Sequence, residues 1–165
     1  MSDAQDLIEL IPRLRRYARA LVGDRAASDD LVQDTLERAW AKLHLYRRGT
    51  DLRAWLFTVM HNVHVNRVRA MRPTDPIEDD MPELAQRATQ DDALVVRDLD
   101  RAISTLPVAQ REVLLLVALE DLSYEETARV LGIPIGTVMS RLARARDKLR
   151  LLLHGKGGTK LQVVK

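Results

Sequence analysis

Apolar residues recur at intervals of three and four along most of this 165-residue chain, which is the spacing of one face of an α-helix. In the first half, such stretches cover residues 7–21, 31–43 and 52–63. Gly23 is expected to end the first of them, because glycine commonly follows the last helical turn. None of these stretches alternates with the period of two that a half-buried strand requires. The pattern predicts three helices in this part of the chain.

The second half shows the same helical period over residues 95–106 and again over 137–153. Between them, Ser123 and Glu126 form a Ser-x-x-Glu capping box, in which each side chain can bond the backbone N–H of the other. Gly132 is placed to end the short helix that this box opens, in the left-handed conformation that glycine adopts without strain. We therefore expect an all-α protein whose last two helices are joined by a short turn.

Charge divides the chain into blocks that its formal net charge of +2 conceals. Residues 1–72 carry 13 basic and 9 acidic side chains, residues 73–92 carry 1 and 7, and residues 93–165 carry 12 and 8. The acidic block also holds three prolines, which makes it a poor helix and a good linker. We expect two small helical domains, 1–72 and 93–154, joined by an acidic flexible linker at 73–92. The basic tail at 155–165 is expected to be disordered.

The composition excludes several classes of protein. The chain has no cysteine, which rules out disulfides, thiolate zinc sites and cysteine nucleophiles. No apolar stretch approaches the roughly 20 residues of a membrane span, and the N-terminus lacks the pattern of a signal peptide, so we expect a cytoplasmic protein without membrane insertion. His61 and His64 could share a metal, but no third ligand is suitably spaced. We expect no metal, no cofactor and no catalytic residues, and an enzyme fits poorly.

The end of the chain predicts DNA binding. A capped short helix, a glycine turn and a second helix with basic residues form a helix-turn-helix, the arrangement that places a helix in the DNA major groove. Arginine can pair with guanine, whereas Ser, Thr and Lys more often hold phosphates. The side chains expected on the exposed face, or at its edges, are Thr137, Ser140, Arg141, Arg144, Arg146, Lys148 and Arg150.

Two helices of the N-terminal half have polar outer faces of opposite character. The helix over residues 29–40 is acidic outside, at Asp30, Gln33, Asp34 and Glu37. The helix over residues 53–72 is rich in amides, imidazoles and arginines, which suit an unstacked base and phosphates; these are His61, Asn62, His64, Asn66, Arg67, Arg69 and Arg72. The alternative is that both are ordinary solvated helix faces.

Four segments in the same order resemble the extracytoplasmic-function group of bacterial sigma factors. Residues 29–40 (DDLVQDTLERAW) resemble its polymerase-binding region 2.2, and residues 53–62 (RAWLFTVMHN) resemble regions 2.3 and 2.4. Residues 106–114 (LPVAQREVL), followed by 122–126 (LSYEE), resemble region 4.1 running into 4.2. Residues 136–142 (GTVMSRL) are similar to its recognition helix. The resemblance spans nearly everything between Leu10 and Leu152.

The resemblance implies a two-domain initiation factor, an alternative sigma factor whose partners are core RNA polymerase and promoter DNA. By that analogy Asp30, Gln33, Asp34 and Glu37 face polymerase. Asn62 holds a flipped base of the melted non-template strand at the −10 element, and neighbouring contacts there come from His61, Asn66, Arg67 and Arg69. The double-stranded −35 element is contacted by Thr137, Ser140, Arg141, Arg144, Arg146 and Lys148. A partner anti-sigma factor could clamp the two domains together and hide both DNA-binding faces.

Some positions depart from the family pattern, and one other class of function stays open. Met139 stands where the family commonly has Lys or Arg, and Ala143 where a larger side chain is frequent, which puts the usual upstream sequence in doubt. Trp55 and Phe57 are expected in the core and not against bases. The alternative function is a helix-turn-helix regulator whose first domain senses a ligand or dimerises. The acidic outer face of residues 29–40 argues against a dimer seam there, which should be apolar.

Overall fold

The computed structural model describes residues 3–47, 49–71 and 94–154, and every regular element within them is helical. The all-α prediction is confirmed. We call residues 3–71 the N-terminal lobe. Its four α-helices, with a short 3-10 turn at Leu43–Leu45 after the third, are α1 (Asp3–Glu9), α2 (Ile11–Val22), α3 (Arg25–Ala41) and α4 (Leu52–Met71).

The first apolar stretch forms two helices where the sequence pattern predicts one. The break falls at Leu10, and Pro12 occupies the first turn of α2. A proline there would clash with the carbonyl four residues earlier if the helix were continuous, and its missing N–H costs nothing in a first turn. Gly23 ends α2 with a positive φ of 89°, as predicted. Asp24 then caps α3 by accepting a 2.8 Å hydrogen bond from the N–H of Ala27.

We call residues 94–154 the C-terminal lobe. Its helices are α5 (Leu94–Ser104), α6 (Val108–Leu114), α7 (Tyr124–Leu131) and α8 (Ile135–His154), and a π-helical turn at Leu115–Leu119 extends α6. Asp121 follows that turn with a φ of 57°, which is left-handed backbone in a residue other than glycine. The π-helical turn and the left-handed residue flank Glu120, so the local backbone sets where this carboxylate lies.

The helix-turn-helix prediction is confirmed in its local geometry. The N–H of Glu126 donates to Ser123 Oγ at 3.0 Å and the N–H of Ser123 donates to Glu126 Oε1 at 2.9 Å, completing the capping box of α7. Gly132 ends α7 in the left-handed conformation, with φ 68° and ψ 37°. The last helix begins at Ile135, two residues earlier than predicted.

The two lobes pack directly on one another. Helix α4 contacts α7, and α2 contacts α5, α6 and the π-helical turn. The buried apolar side chains form one cluster to which both lobes contribute, including Leu14 and Met60 from the first and Leu106 and Val113 from the second. Phe57 is buried and Trp55 packs against the cluster, as expected. The predicted linker at 73–92 and the predicted disordered tail at 155–165 lie outside the described residues.

None of the helices within the described residues is both long enough and apolar enough to cross a bilayer. In the same part of the chain, no group of three or more His, Cys, Asp or Glu side chains is placed to hold a metal ion.

Candidate nucleic-acid interface

Helix α8 is fixed on one side and open on the other. Its buried residues Val138, Leu142 and Ala145 recur at three and four and pack against α6 and α7. Of the residues predicted to contact upstream DNA, Ser140, Arg144 and Lys148 are exposed, whereas Thr137 and Arg141 are half-buried. Arg146 is exposed too, but its position in the helix places it on the other edge of the outer surface. The predicted set therefore divides between two edges.

The outer face of α4 brings together only part of the set predicted to contact the −10 element. Asn62, Asn66 and Arg69 are all exposed, and their spacing of four and three puts them on one face of the helix. His61 and Arg67 lie on other faces, and both are engaged by acidic side chains of the protein. The exposed face is thus a line of two amides and one arginine.

His61 contacts the C-terminal lobe instead of solvent. Its Nδ1 lies 2.8 Å from Glu112 Oε2, and both side chains are largely buried. Burial lowers the pKa of His61, but the hydrogen bond to Glu112 and the charge of that carboxylate raise it, and the net shift is upward. The charge of Arg141 on α8 opposes that rise. A predicted −10 residue and a predicted −35 residue therefore lie within electrostatic reach of each other.

The four residues predicted to face polymerase share one face of α3. Asp30, Gln33 and Glu37 are exposed, and Asp34 lies on the same face by its spacing. The carboxylate of Asp34 accepts a 2.6 Å hydrogen bond from Arg67 Nη2 on α4. This ion pair joins the candidate polymerase surface to the helix that carries the candidate −10 residues.

A groove of about 970 Å³, lined by both apolar and charged side chains, runs beside this acidic face, between α3 and the first two helices. Gln33, Glu37 and Trp40 line one wall, and Ile8 and Ile11 line the other. The indole of Trp40 is 60% exposed, although Trp40 belongs to the apolar stretch over residues 31–43. The helical period shows which residues of a helix are apolar, but it does not show whether another helix covers them. Trp40 is not covered, because it borders the open groove.

Arg111 on α6 is a buried cation that binds backbone carbonyls of both lobes. Its guanidinium donates to the carbonyls of Ser104 and Leu106 in its own lobe, at 2.9 and 2.6 Å, and its Nε donates to Ile103 at 3.1 Å. Its Nη1 crosses to the carbonyl of Leu21 at 2.6 Å. These carbonyls lie at the C-terminal ends of α5 and α2, where unpaired acceptors favour a positive charge.

Glu120 is the acidic counterpart in this interface. Its side chain is fully buried and faces three arginines of the N-terminal lobe: Arg16 at 3.2 Å, Arg13 at 3.5 Å, and Arg53, which donates to the Glu120 backbone carbonyl at 3.1 Å. Burial raises the pKa of the Glu120 carboxyl, against the opposing effect of the arginines. Burial also raises the pKa of the neighbouring Tyr17 phenol, and the charges of Glu112 and Glu120 add to that rise.

The structure is therefore a closed arrangement in which the C-terminal lobe supplies charged groups to the N-terminal lobe. Sequence reasoning missed Arg111, Glu112 and Glu120 as interface residues. The available signal was the charged pair Arg111-Glu112 in a helix whose other residues, apart from Gln110, are apolar, since charged residues are seldom fully buried without partners. In this arrangement His61 and Arg141 are turned toward the lobe interface and away from open solvent.

Each lobe matches a known family. Residues 7–61 match the family described as the Sigma2 domain of PhyR, and residues 97–149 match Sigma-70, region 4. The chain is 37% identical to the ECF RNA polymerase sigma factor EcfG of Rhodopseudomonas palustris (strain TIE-1), over 92% of this chain and 85% of the relative. It is 33% identical to the ECF RNA polymerase sigma factor SigM of Bacillus subtilis (strain 168), over 84% and 87% of the two chains.

Solved structures agree with these matches. The sigma factor RpoE from Bartonella quintana, in complex with the anti-sigma factor NepR, superposes with a TM-score of 0.74 at 34% identity, covering 93% of this chain and 97% of that one. CnrH in complex with the cytosolic domain of CnrY superposes with a TM-score of 0.67 at 28% identity, covering 94% and 92%.

Proposed function

Because the chain belongs to the extracytoplasmic-function (ECF) group of RNA polymerase sigma factors, we propose that it directs core polymerase to a specific set of promoters in the cytoplasm. The acidic face of α3 and the adjoining groove contact polymerase. The exposed line Asn62, Asn66 and Arg69 contacts the melted non-template strand of the −10 element. Helix α8 contacts the −35 element in the major groove. The chain contributes binding and strand opening, and the catalytic chemistry belongs to polymerase.

One observation carries this proposal: a helix-turn-helix with its caps in place shares a chain with an exposed amide and arginine face. Extracting a base from the duplex costs a few kcal/mol. A pocket or a line of amides can offset this cost only if the lobe that carries it is held against the DNA. Neither lobe has enough basic surface for tight binding alone. Docking both on one enzyme makes the second contact intramolecular and so combines two weak affinities.

The closed arrangement supports control by an anti-sigma factor. His61 is paired with Glu112, and Arg141 is half-buried beside them, so two residues assigned to different promoter elements are withheld together. RpoE is bound to the anti-sigma factor NepR in its solved complex, and CnrH is bound to the cytosolic domain of CnrY in its own. We propose that a partner of this type binds the closed form, and that polymerase binding requires the lobes to separate.

Transcription in vitro tests the proposal. The purified chain, core polymerase and a library of double-stranded templates should yield transcripts from a restricted set of start sites. Asn62→Ala should leave closed-complex formation unchanged and reduce permanganate reactivity of the bubble, because only strand opening uses that amide. Lys42→Ala, at an exposed site beyond the end of α3, is the matched control. Absence of any selected start site, or a homodimer that binds a palindrome without polymerase, would refute the assignment.

Energy transfer between two dyes tests the closed form. The chain has no cysteine, so a double variant such as Lys42→Cys with Leu151→Cys can be labelled at two exposed positions without background. We expect high transfer efficiency in the free chain and a clear decrease when core polymerase is added. Low efficiency in the free chain would show that the closed arrangement is not its resting state.

A further inference from the structure

The outer surface of α8 has two edges of different chemistry. One edge carries the polar and basic residues Thr137, Arg141, Arg144 and Lys148. The other begins with Ile135 and continues through Met139 to Ala143, each four residues after the last, so that the three lie along one line of the helix. Ile135 is 43% exposed and Met139 is 50% exposed. The recognition helix therefore presents an apolar edge to solvent in its first turns.

This apolar edge is short and ends in a cation. Ile135 and Ala143 are eight residues apart, or about 12 Å along the axis at 1.5 Å per residue. One further turn along the same line lies Arg146, which is exposed. A helix-binding protein partner favours an apolar stripe that continues over several turns, with anchors at i, i+3, i+4 and i+7. An apolar start followed by a cation suits a groove that has base edges inside and phosphates at its rim.

We propose that Met139, supported by Ile135, contacts the C5-methyl groups of thymines in the upstream promoter element. This inference rests on the proposed function and identifies a specificity-determining residue within it. The first residues of a recognition helix lie against base edges, and the thymine methyl is the apolar group that the major groove displays. About 12 Å of helix spans three to four base pairs at a rise of 3.4 Å. Arg144 and Lys148, on the other edge, are left for guanine and phosphate contacts.

The proposal predicts a sequence preference as well as a contact. A lysine or arginine at position 139 would favour guanine, whose O6 and N7 accept hydrogen bonds. Met139 has no hydrogen-bond donor for those atoms, and a methyl group that covers its side chain breaks no strong hydrogen bond to water. We expect a thymine, on either strand, at the base pair that Met139 covers.

Replacing thymine with deoxyuridine tests the contact, because it removes one methyl and leaves the base-pairing edge intact. The upstream element is first selected from a randomised library with the complete holoenzyme. Affinity of the holoenzyme is then measured on the selected duplex with each thymine replaced in turn. One or two replacements should weaken binding of the unmodified protein about fourfold, the effect of exposing one buried methyl-sized group. With Met139→Ala, the same replacements should have no effect.

Leu151→Ala is the matched control, since Leu151 is an apolar residue of the same helix that is 73% exposed and lies beyond the apolar edge; it should respond to deoxyuridine as the unmodified protein does. Met139→Lys should shift the selected base pair toward guanine. Equal affinity for thymine and deoxyuridine duplexes in the unmodified protein would overturn the proposal. The proposal would also be overturned if Met139→Lys selected the same sequence as the unmodified protein. In that case, weaker binding of Met139→Ala to a protein partner would assign the apolar edge to that partner instead. Failure of the unmodified holoenzyme to select any element would instead refute the proposed function.

Discussion

The two lobes treat their polar side chains in opposite ways. Among the described residues, the N-terminal lobe buries the hydroxyls of Ser28 and Thr35 and the phenol of Tyr17, and its charged groups stay at or near the surface. The C-terminal lobe fully buries an amide, a guanidinium and two carboxylates, at Gln110, Arg111, Glu112 and Glu120. Burying a charge is unfavourable unless partners replace the water around it. The two carboxylates take their partners from the other lobe, whereas Arg111 binds one carbonyl there and three in its own lobe. The C-terminal lobe therefore buries acidic groups that the N-terminal lobe must cover.

The buried polar groups of the C-terminal lobe also determine how the two lobes are oriented on each other. The apolar cluster alone would allow the lobes to slide, since apolar contact has no direction. Hydrogen bonds from Arg111 to carbonyls of both lobes fix one orientation. The N-terminal lobe contributes the partly exposed arginines Arg13 and Arg16, which pair with Glu120. Their side chains can return to water when the lobes separate. An interface of this kind is specific when closed and still reversible.

The largest effect should follow from removing the buried cation. Arg111→Met keeps much of the side-chain length but leaves the carbonyls of Leu21, Ser104 and Leu106 without their donor. A hydrogen bond to a charged group contributes roughly 1.5–3 kcal/mol, and an unsatisfied buried acceptor is costly. We expect the free energy of unfolding to fall by about 3 kcal/mol or more in urea titrations.

Arg101→Met on α5 is the control for this change, because Arg101 is an exposed arginine of the same lobe. It should change the free energy of unfolding by less than about 0.5 kcal/mol. Equal effects of the two substitutions would mean that Arg111 does not join the lobes.

The next effect concerns Arg144, an exposed arginine on the polar edge of α8. Arg144→Ala should weaken holoenzyme binding to the upstream element by about 1–3 kcal/mol, the range for a base-contacting arginine. Arg129→Ala, on the exposed side of α7, should leave the selected sequence unchanged. Binding titrations on duplexes with single base-pair changes would measure both. Unchanged affinity in Arg144→Ala would contradict its assignment to the DNA-binding edge.

The helices and their caps were predictable because their causes are local. The capping box of Ser123 and Glu126, the left-handed Gly132 and the apolar periods all lie within a few residues of the structure they determine. The break at Leu10 was missed although Pro12 marks it, because the apolar period runs through it unbroken. The role of Arg111 was not predictable, since one of its acceptors is the carbonyl of Leu21, 90 residues away, and every residue has a carbonyl.

A similar limit applies to the candidate site. The residue types on α4 indicated nucleic-acid binding, but the helical period does not say which face the other lobe covers. Asn62 and Asn66 are exposed, whereas His61 is held by Glu112. Only the packing of the lobes separates residues that are free to contact DNA in the closed form from one that is withheld.

A smaller effect should appear as a pH dependence of the closed form. The pKa of His61 is raised in the closed form, so its pairing with Glu112 contributes fully below the ordinary value of 6.5 and is lost as the pH rises through the raised value. The transfer efficiency between dyes on the two lobes should therefore be higher at pH 6 than at pH 8. Tyr17 stays neutral throughout this window, because burial raises its pKa well above an ordinary value of 10.0.

Two substitutions isolate this response. His61→Gln should remove the difference between pH 6 and pH 8, whereas His44→Gln, at an exposed histidine, should retain it. The pKa of the Glu120 carboxyl is also raised in the closed form, from an ordinary value of 4.5. Protonation of Glu120 therefore also favours the closed form, but it begins from a lower pKa than that of His61. A pH response that persists in His61→Gln would assign the effect to Glu120 or to another group.

The smallest effect should come from the ion pair within the N-terminal lobe, between Asp34 and Arg67. Its atoms lie 2.6 Å apart, but the side chains are 46% and 34% exposed, and a pair that water screens contributes about 0.5 kcal/mol or less. A double-mutant cycle with Asp34→Asn and Arg67→Gln should give a coupling of that size in the free energy of unfolding. The contrast with Arg111 follows from burial, because the N-terminal pair stays in contact with water. A coupling above about 2 kcal/mol would show that the N-terminal lobe also depends on a desolvated charge, and the contrast between the lobes would not hold.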